Sequence, residues 1–235
     1  MSERAIKIHY SMDPLLIRRT TKIIFDSDGV ILDSNQVKTL AFAKTLKGYA
    51  QDQIDFFLSY HRSNGGLSRY EKFNFFLKKY NLYTDSEYLR LIKKFSIETS
   101  LAYEEAQMTK GIKIFLAKLL EEQIDSFIIT ANEERQSNIV YKKKSLSRYF
   151  KTILGSPGSK EDNVKELFKS GFIGKKNQVI FFGDSIHDHQ CAQKFGFQFI
   201  FVNGYTELDN WDLYVKNHKI LTIRDFSELQ FNIIP

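Results

Sequence analysis

Two aspartates one residue apart, Asp26 and Asp28, close the short apolar run Ile23-Ile24-Phe25, and Gly29 follows them directly. Like charges held this close raise each other's pKa unless a cation neutralises them. Taken alone, the pair fits a surface turn, where Asp and Gly are both at home. Other polar groups also follow apolar runs. Thr130-Ala131-Asn132 comes after "IDSFII", and Lys160 closes "GSPGSK". Gly183-Asp184-Ser185-Ile186-His187-Asp188 comes after "VIFF". Any one of these would pass as loop chemistry. Together they supply acids, a hydroxyl and a lysine to one constellation.

Asp184 and Asp188 with Asp26 would make a hard oxygen site suited to Mg²⁺, which favours carboxylates. Such an ion removes the objection to clustered acids, because it neutralises them. Lys160 would add a second positive charge for a phosphoryl group, and the Thr130 hydroxyl with nearby backbone N–H groups would donate to its oxygens. Phosphoryl transfer needs little more than an in-line nucleophile, charge neutralisation and positioning. Asp26 is the natural nucleophile, forming an aspartyl-phosphate. Asp28 is placed to protonate the leaving oxygen and then to deprotonate water. Gly29 allows a tight turn, so that both acids face one pocket.

These residues need strands to present them. Short apolar, β-branched or aromatic runs predict strands at 22–26, 124–130, 151–154, 178–183, 198–202 and 219–223. Several lack polar alternation, as expected of strands buried on both faces of a parallel sheet. Helical patterns lie between them at 112–122, 133–143, 160–169 and 186–195. In the first, Ile112, Phe115, Leu116, Leu119 and Leu120 form an amphipathic stripe. The alternation predicts a doubly wound α/β fold with a Rossmann-like, mainly parallel sheet, in which chemistry collects beyond the carboxyl ends of the strands. Residues 35–109 break the alternation. They read as successive helices at 36–47, 51–60, 67–80, 85–97 and 98–108, rich in Phe and Tyr. The expected organisation is a core of 1–34 and 110–235 with an inserted helical unit, 35–109, hinged near Asp33-Ser34 and Gly111.

A chain of 235 residues, 43% hydrophobic and 26% charged, can bury a full core. Its formal charge of +6 favours anionic partners. The one dense basic run, Lys142-Lys143-Lys144, reads as a solvated helix end. No basic stripe with interleaved aromatics points to nucleic acid. Cys191, the only cysteine, excludes an intrachain disulfide and falls on an apolar helix face as a buried structural thiol. Residues 1–20 lack the apolar segment of a secretory leader, and no run is long enough to span a membrane. A soluble cytoplasmic protein is the expectation, with its oligomeric state left open.

The motifs "FDSDGVILDS", "FIITAN", a loop lysine and "FFGDSIHD", in that order, resemble those of the haloacid dehalogenase-like hydrolases in their phosphatase branch. The likeness covers most of the chain. It implies a Rossmann-like core with a helical cap inserted after the first motif, similar to phosphoglycolate phosphatase and β-phosphoglucomutase-like proteins. It also implies Mg²⁺ held by the Asp26 side chain, the Asp28 backbone carbonyl and Asp184, with Asp188 in the outer shell or orienting Lys160. Asp28 argues against dehalogenation. Gly183 before Asp184 favours a phosphatase over a sugar phosphomutase, which remains an alternative beside a non-catalytic binding protein. The stretch "NGGLSRYEKF" resembles a loop that mutase caps lower over substrate phosphate, so Arg69 is a candidate reader of a second anionic group. The expected substrate is a small phosphorylated metabolite, such as a sugar phosphate or a phosphoglycolate-like compound. His187 and His189, two apart on a helix, do not face one ion. His61 reads as a helix-end or packing residue, and Trp211 as a packing residue in a loop.

Overall fold

The computed structural model describes residues 22–174 and 178–229; the segment before the first strand, whose role the sequence leaves open, lies outside them. Chain order begins with β1 (Lys22–Phe25), β2 (Leu32–Asp33), α1 (Asn35–Thr45), α2 (Gln51–Ser63), α3 (Arg69–Lys79), α4 (Asp85–Glu105) and β3 (Gln107–Met108). It continues with α5 (Ile112–Glu121), β4 (Asp125–Glu133), α6 (Glu134–Lys143), β5 (Thr152–Ser156), α7 (Lys160–Lys169) and β6 (Val179–Gly183). The last elements are α8 (Ile186–Lys194), β7 (Gln198–Val202), α9 (Trp211–His218) and β8 (Leu221–Ile223).

Six strands form one sheet in the order β5-β4-β1-β6-β7-β8. Every neighbouring pair is parallel. The doubly wound α/β expectation holds. The chain leaves β1 for one side of the sheet and later returns to the other, so the crevice of this fold opens beyond the carboxyl ends of β1, β4 and β6. Strand residues alternate between two cores. Ile23, Phe25, Ile128, Ile180 and Phe182 pack on the α5 and α6 side. Ile24, Phe127, Ile129, Phe181 and Phe201 pack on the α7 and α8 side with Cys191. Both faces are covered, which is why these strands are apolar throughout.

Helices α1 to α4 bury a third cluster around Phe42, Phe57, Phe73, Phe76 and Phe95. Phe42 stacks on Phe95 with ring centroids 4.0 Å apart. Burial of each such ring stabilises by about 1.5–3 kcal/mol, so the helical segment has a core of its own. Where the chain leaves and rejoins the sheet, β2 and β3 pair antiparallel, Leu32 with Met108 and Asp33 with Gln107. Gly111 stands just beyond this ribbon as the N-cap of α5.

Several expectations need correction. The helices read at 85–97 and 98–108 are one, α4, because nothing between them breaks a helix; Thr84 caps its start through the Glu87 N–H. The end of the second is the strand β3, too short to show a period. Trp211 is not in a loop but opens α9, a short helix with Val215 as its buried residue; its ring stacks parallel to Phe201. Leu120, placed in the buried stripe of α5, is exposed. The basic run is not simply solvated: Lys144 Nζ donates to the Glu104 and Ala106 carbonyls at 2.6 and 2.7 Å, and Lys143 pairs with Glu104. Two lysines thus close the carboxyl end of α4, where the helix dipole favours cations. Among the described residues no helix is long and apolar enough to cross a membrane.

Candidate active site

The carboxyl ends of β1, β4 and β6 line one cavity of about 500 Å³, counting its open mouth. Asp26 is held at its place by the β1–β6 pairing, which its own backbone N–H extends to the Phe182 carbonyl at 2.9 Å. The chain then turns back, with the Ile31 and Leu32 N–H groups donating to the Ser27 carbonyl. Gly29 has φ +72°, and a Cβ there would lie 2.3 Å from Asp184 Oδ2 and 2.5 Å from Asn35 Nδ2. Only glycine tolerates both that dihedral and that approach.

Oxygens of Asp26, Asp184 and Asp188 lie within 4.8 Å of one another, and all three residues are buried. Asp184 follows β6, and its Oδ2 accepts from Asn35 Nδ2 at 2.7 Å. Asp188 owes its position to a capping box. Ser185 caps α8 by accepting from the Asp188 N–H, and Asp188 Oδ2 accepts from the Ser185 N–H and hydroxyl. Lys160, at the start of α7, reaches into this cluster, 3.0 Å from Asp26 Oδ1 and 2.5 Å from Asp188 Oδ1.

The charges are set by burial and by neighbours. Burial pushes Asp26 up to about 7; Lys160 works against that rise, while Asp188 and Asp28 add to it. Burial, then Asp26 and Asp188, hold the Asp184 carboxyl well above the usual range. Burial opposes the charge of Lys160, but Asp188 and Asp26 keep its pKa above the ordinary lysine value. Three acids so close make a site for a hard cation: their donors are all carboxylate oxygens, as Mg²⁺ prefers.

Asp28 faces elsewhere. Its Oδ2 pairs with Lys38 Nζ at 2.8 Å and accepts from Asn132 Nδ2 at 3.0 Å, and its Oδ1 accepts from the Ser34 hydroxyl at 2.5 Å. Burial opposes its charge, yet Lys38 and these donors outweigh it and leave the carboxyl below the ordinary range. The side chain is therefore ionised, held by its own set of partners on the same cavity wall.

Of the residues expected from the sequence, the fold brings Asp26, Asp28, Asp184 and Ala131 to the cavity wall. Lys160 and Asp188 join through the acid cluster. Thr130 is buried behind the wall, where its hydroxyl accepts from the Asn132 N–H at 3.1 Å. Arg69 is placed neither at the cavity nor in solvent. It is 2% exposed, donates to Ser96 Oγ at 2.9 Å and Gln136 Oε1 at 2.8 Å, and stacks over Phe95. Two of its N–H groups thereby tie α3 to α4 and α6. The structure adds Asn35, Lys38, His61, Arg62 and Lys72 to the lining. Lysines on helices read as solvent-facing in a sequence, so neither Lys38 nor Lys72 stands out there.

The helical unit closes over this cavity. A Cβ on Gly66, which has φ +86°, would lie 2.9 Å from both His187 Cβ and Ser185 Oγ and 3.7 Å from Lys160 Nζ. Thr39 on α1 donates to Glu207 Oε2 in the loop after β7. His189 is turned from the cavity toward the Tyr214 hydroxyl, 2.8 Å from its Nδ1. Cys191 is buried, and burial pushes its thiol up to about 12.

Comparison with known proteins agrees with this architecture. The family model described as "Haloacid dehalogenase-like hydrolase" matches residues 23–202. A provisionally named pyrophosphatase, PpaX, of Caldanaerobacter subterraneus subsp. tengcongensis is 24% identical over 197 residues, which are 76% of this chain and 79% of that protein. The crystal structure of a predicted phosphatase from Clostridium acetobutylicum superposes with a TM-score of 0.70 at 22% identity, covering 89% of this chain and 96% of that one. β-Phosphoglucomutase from Clostridium difficile gives 0.71 at 19% identity over 92% and 95% of the two chains. At these identities the structural likeness is one of fold.

Proposed function

Because the chain belongs to the haloacid dehalogenase-like hydrolases, we propose that it is a Mg²⁺-dependent phosphatase of small phosphorylated metabolites, working through an aspartyl-phosphate. The observation that carries this reading is the buried meeting of Asp26, Asp184 and Asp188 with Lys160 touching the first and last of them. Asp26, Asp184 and Asp188, with the Asp28 backbone carbonyl, are the residues proposed to hold the ion. When bound, it would neutralise the acids and draw charge from the phosphoryl oxygens.

In the proposed reaction Asp26 attacks phosphorus, forming the bond to its carboxylate oxygen as the ester oxygen departs. Asp28 passes a proton to that oxygen, then takes one from the water that cleaves the aspartyl-phosphate and frees inorganic phosphate. Its ionised state at rest suits the second half. For the first half the proton comes with the substrate, since a phosphate monoester with a second pKa near about 6 arrives partly as the monoanion. Lys160 holds the phosphoryl oxygens and favours the ionised form of Asp26 against burial, with Thr130 and Ala131 shaping that end of the cavity. Residues 35–109 act as a cap that excludes bulk water and bulky substrates.

A phosphate-release screen over phosphorylated metabolites, with and without Mg²⁺, tests the reading. Release from at least one compound, lost on chelation, is the expected result. No release from any compound, or release indifferent to the metal, rejects it.

A further inference from the structure

Asn132 lies near the carboxyl end of β4 and is 4% exposed, with both ends of its amide engaged. Its Nδ2 donates to Asp28 Oδ2 at 3.0 Å. Its Oδ1 accepts from the Tyr103 hydroxyl at 3.0 Å. The two neighbours agree on the direction of the amide, because an ionised carboxylate only accepts and leaves the carbonyl end for the phenol. Tyr103 is 3% exposed and comes from α4 of the helical unit, whereas Asn132 and Asp28 stand at strand ends of the sheet. Burial, with Asp28 and Asp26 adding to it, holds the phenol well above the ordinary tyrosine value, so it stays a neutral donor.

Asp28 needs a fixed direction. Handing a proton to the leaving oxygen and taking one from water both require hydrogen-bond reach. Lys38 and Asn132 hold the same carboxylate oxygen, Oδ2, while Ser34 holds Oδ1. A lysine ammonium is a point charge with rotatable donors on a flexible stem, so it neutralises without setting an angle. A planar amide pinned at both ends does set one. Thr99 and Gln136 make a comparable bond between α4 and α6, Gln136 Nε2 donating to Thr99 Oγ1 at 3.1 Å. Among the described residues, neither of these two is hydrogen-bonded to Asn132 or Asp28.

Resting on the phosphatase reading, we infer that Tyr103 is a positioning residue for the reaction: its hydroxyl anchors the Asn132 amide, and that amide aims the Asp28 carboxylate at the leaving oxygen. Tyr103 touches neither substrate nor metal ligand. It acts only through Asn132, so its loss misdirects the proton rather than weakening the hold on the phosphoryl group.

The leaving group separates an aiming defect from a loosened fold. Nitrophenolate departs without a proton, whereas an alkoxide needs one, so loss of the acid shows in alkyl esters and spares the aryl ester. The test compares kcat/KM, which reports steps up to the aspartyl-phosphate, for p-nitrophenyl phosphate and for the best alkyl phosphate found in the phosphate-release screen. Tyr103→Phe should lower the alkyl value about tenfold and the aryl value by less than about threefold, and Asn132→Ala should widen that gap. Thr99→Val, which removes a comparable bond between the same helices, should keep the parent ratio. In an Asp28→Asn background Tyr103→Phe should cost less than about twofold more, because its effect runs through that carboxylate. Each ratio is read within one preparation, so partly unfolded protein lowers both values and cannot imitate the result. Equal losses on the two esters, no loss on either, or the full loss repeated in Asp28→Asn would overturn the inference while the phosphatase reading stands. No release from any ester by the parent protein would overturn the phosphatase reading and this inference with it.

Discussion

Asp26→Asn should lose phosphate release by about 10⁴-fold or more, as removal of a nucleophile does elsewhere, while the protein keeps its fold and its melting temperature without metal. The substitution conserves shape, and the neighbourhood explains why folding tolerates it. Asp26 is 5% exposed and raised in pKa by burial and by its acidic neighbours, so its charge is a burden to the metal-free state. An amide removes that burden and can still meet Lys160 through its carbonyl oxygen. An amide is also a poor nucleophile, so the chemistry fails where the fold survives. Turnover and thermal melts measured together check this. Turnover equal to the parent enzyme would remove Asp26 from the reaction.

Asp28→Ala should be damaging in a second way. It strands Lys38, which is 7% exposed and whose partner at 2.8 Å is lost, along with the groups that donate from Ser34 and Asn132. Breaking a buried pair from one side costs about 3–5 kcal/mol, so the melting temperature should drop by roughly 10 °C. Asp28→Asn keeps the shape and part of the hydrogen bonding and should melt closer to the parent, yet lose about 10²- to 10⁴-fold in rate with its proton transfer. The pH dependence has a definite sign. The folded-state pKa of Asp28 is depressed, so its contribution to stability is complete above the unfolded value, near about 4, and disappears as pH falls through the lower folded value. Acid melts should therefore separate parent from Asp28→Asn near neutral pH and converge toward pH 2. If both variants melted like the parent at pH 7, the buried pair would not be the support described.

The core was legible because its signals are local and redundant. Six apolar runs became six parallel strands, with helices between them as the alternation predicts. What escaped lacked such redundancy. β2 and β3 have two residues each, and their pairing joins positions 74 and 76 residues apart. α9 has only eight residues in which to show a period, and α4 had nothing to mark where it continues. In the site, acids at strand ends announced themselves because the chemistry needs those types at that spacing. Lys38 and Lys72 did not, since a lysine on a helix is ordinary in sequence, and only packing reveals that both are buried at the cavity wall. Arg69 misled for the opposite reason. Its short motif matched, but the structure places the side chain against Ser96, Gln136 and Phe95 and not in the cavity lining.

The central claim is that one divalent ion resolves the repulsion among Asp26, Asp184 and Asp188, and thermal melting with and without Mg²⁺ across pH tests it most directly. In a chelator the raised pKa values of Asp26 and Asp184 mean that the folded state binds more protons than the unfolded one above pH 4, so stability should fall as pH rises through about 7. Saturating Mg²⁺ should reverse this, raising the melting temperature by about 5–10 °C at pH 8 and by less than about 2 °C at pH 5. Asp184→Asn should abolish the difference. A Mg²⁺ effect that is absent at pH 8, or undiminished in Asp184→Asn, would contradict the account.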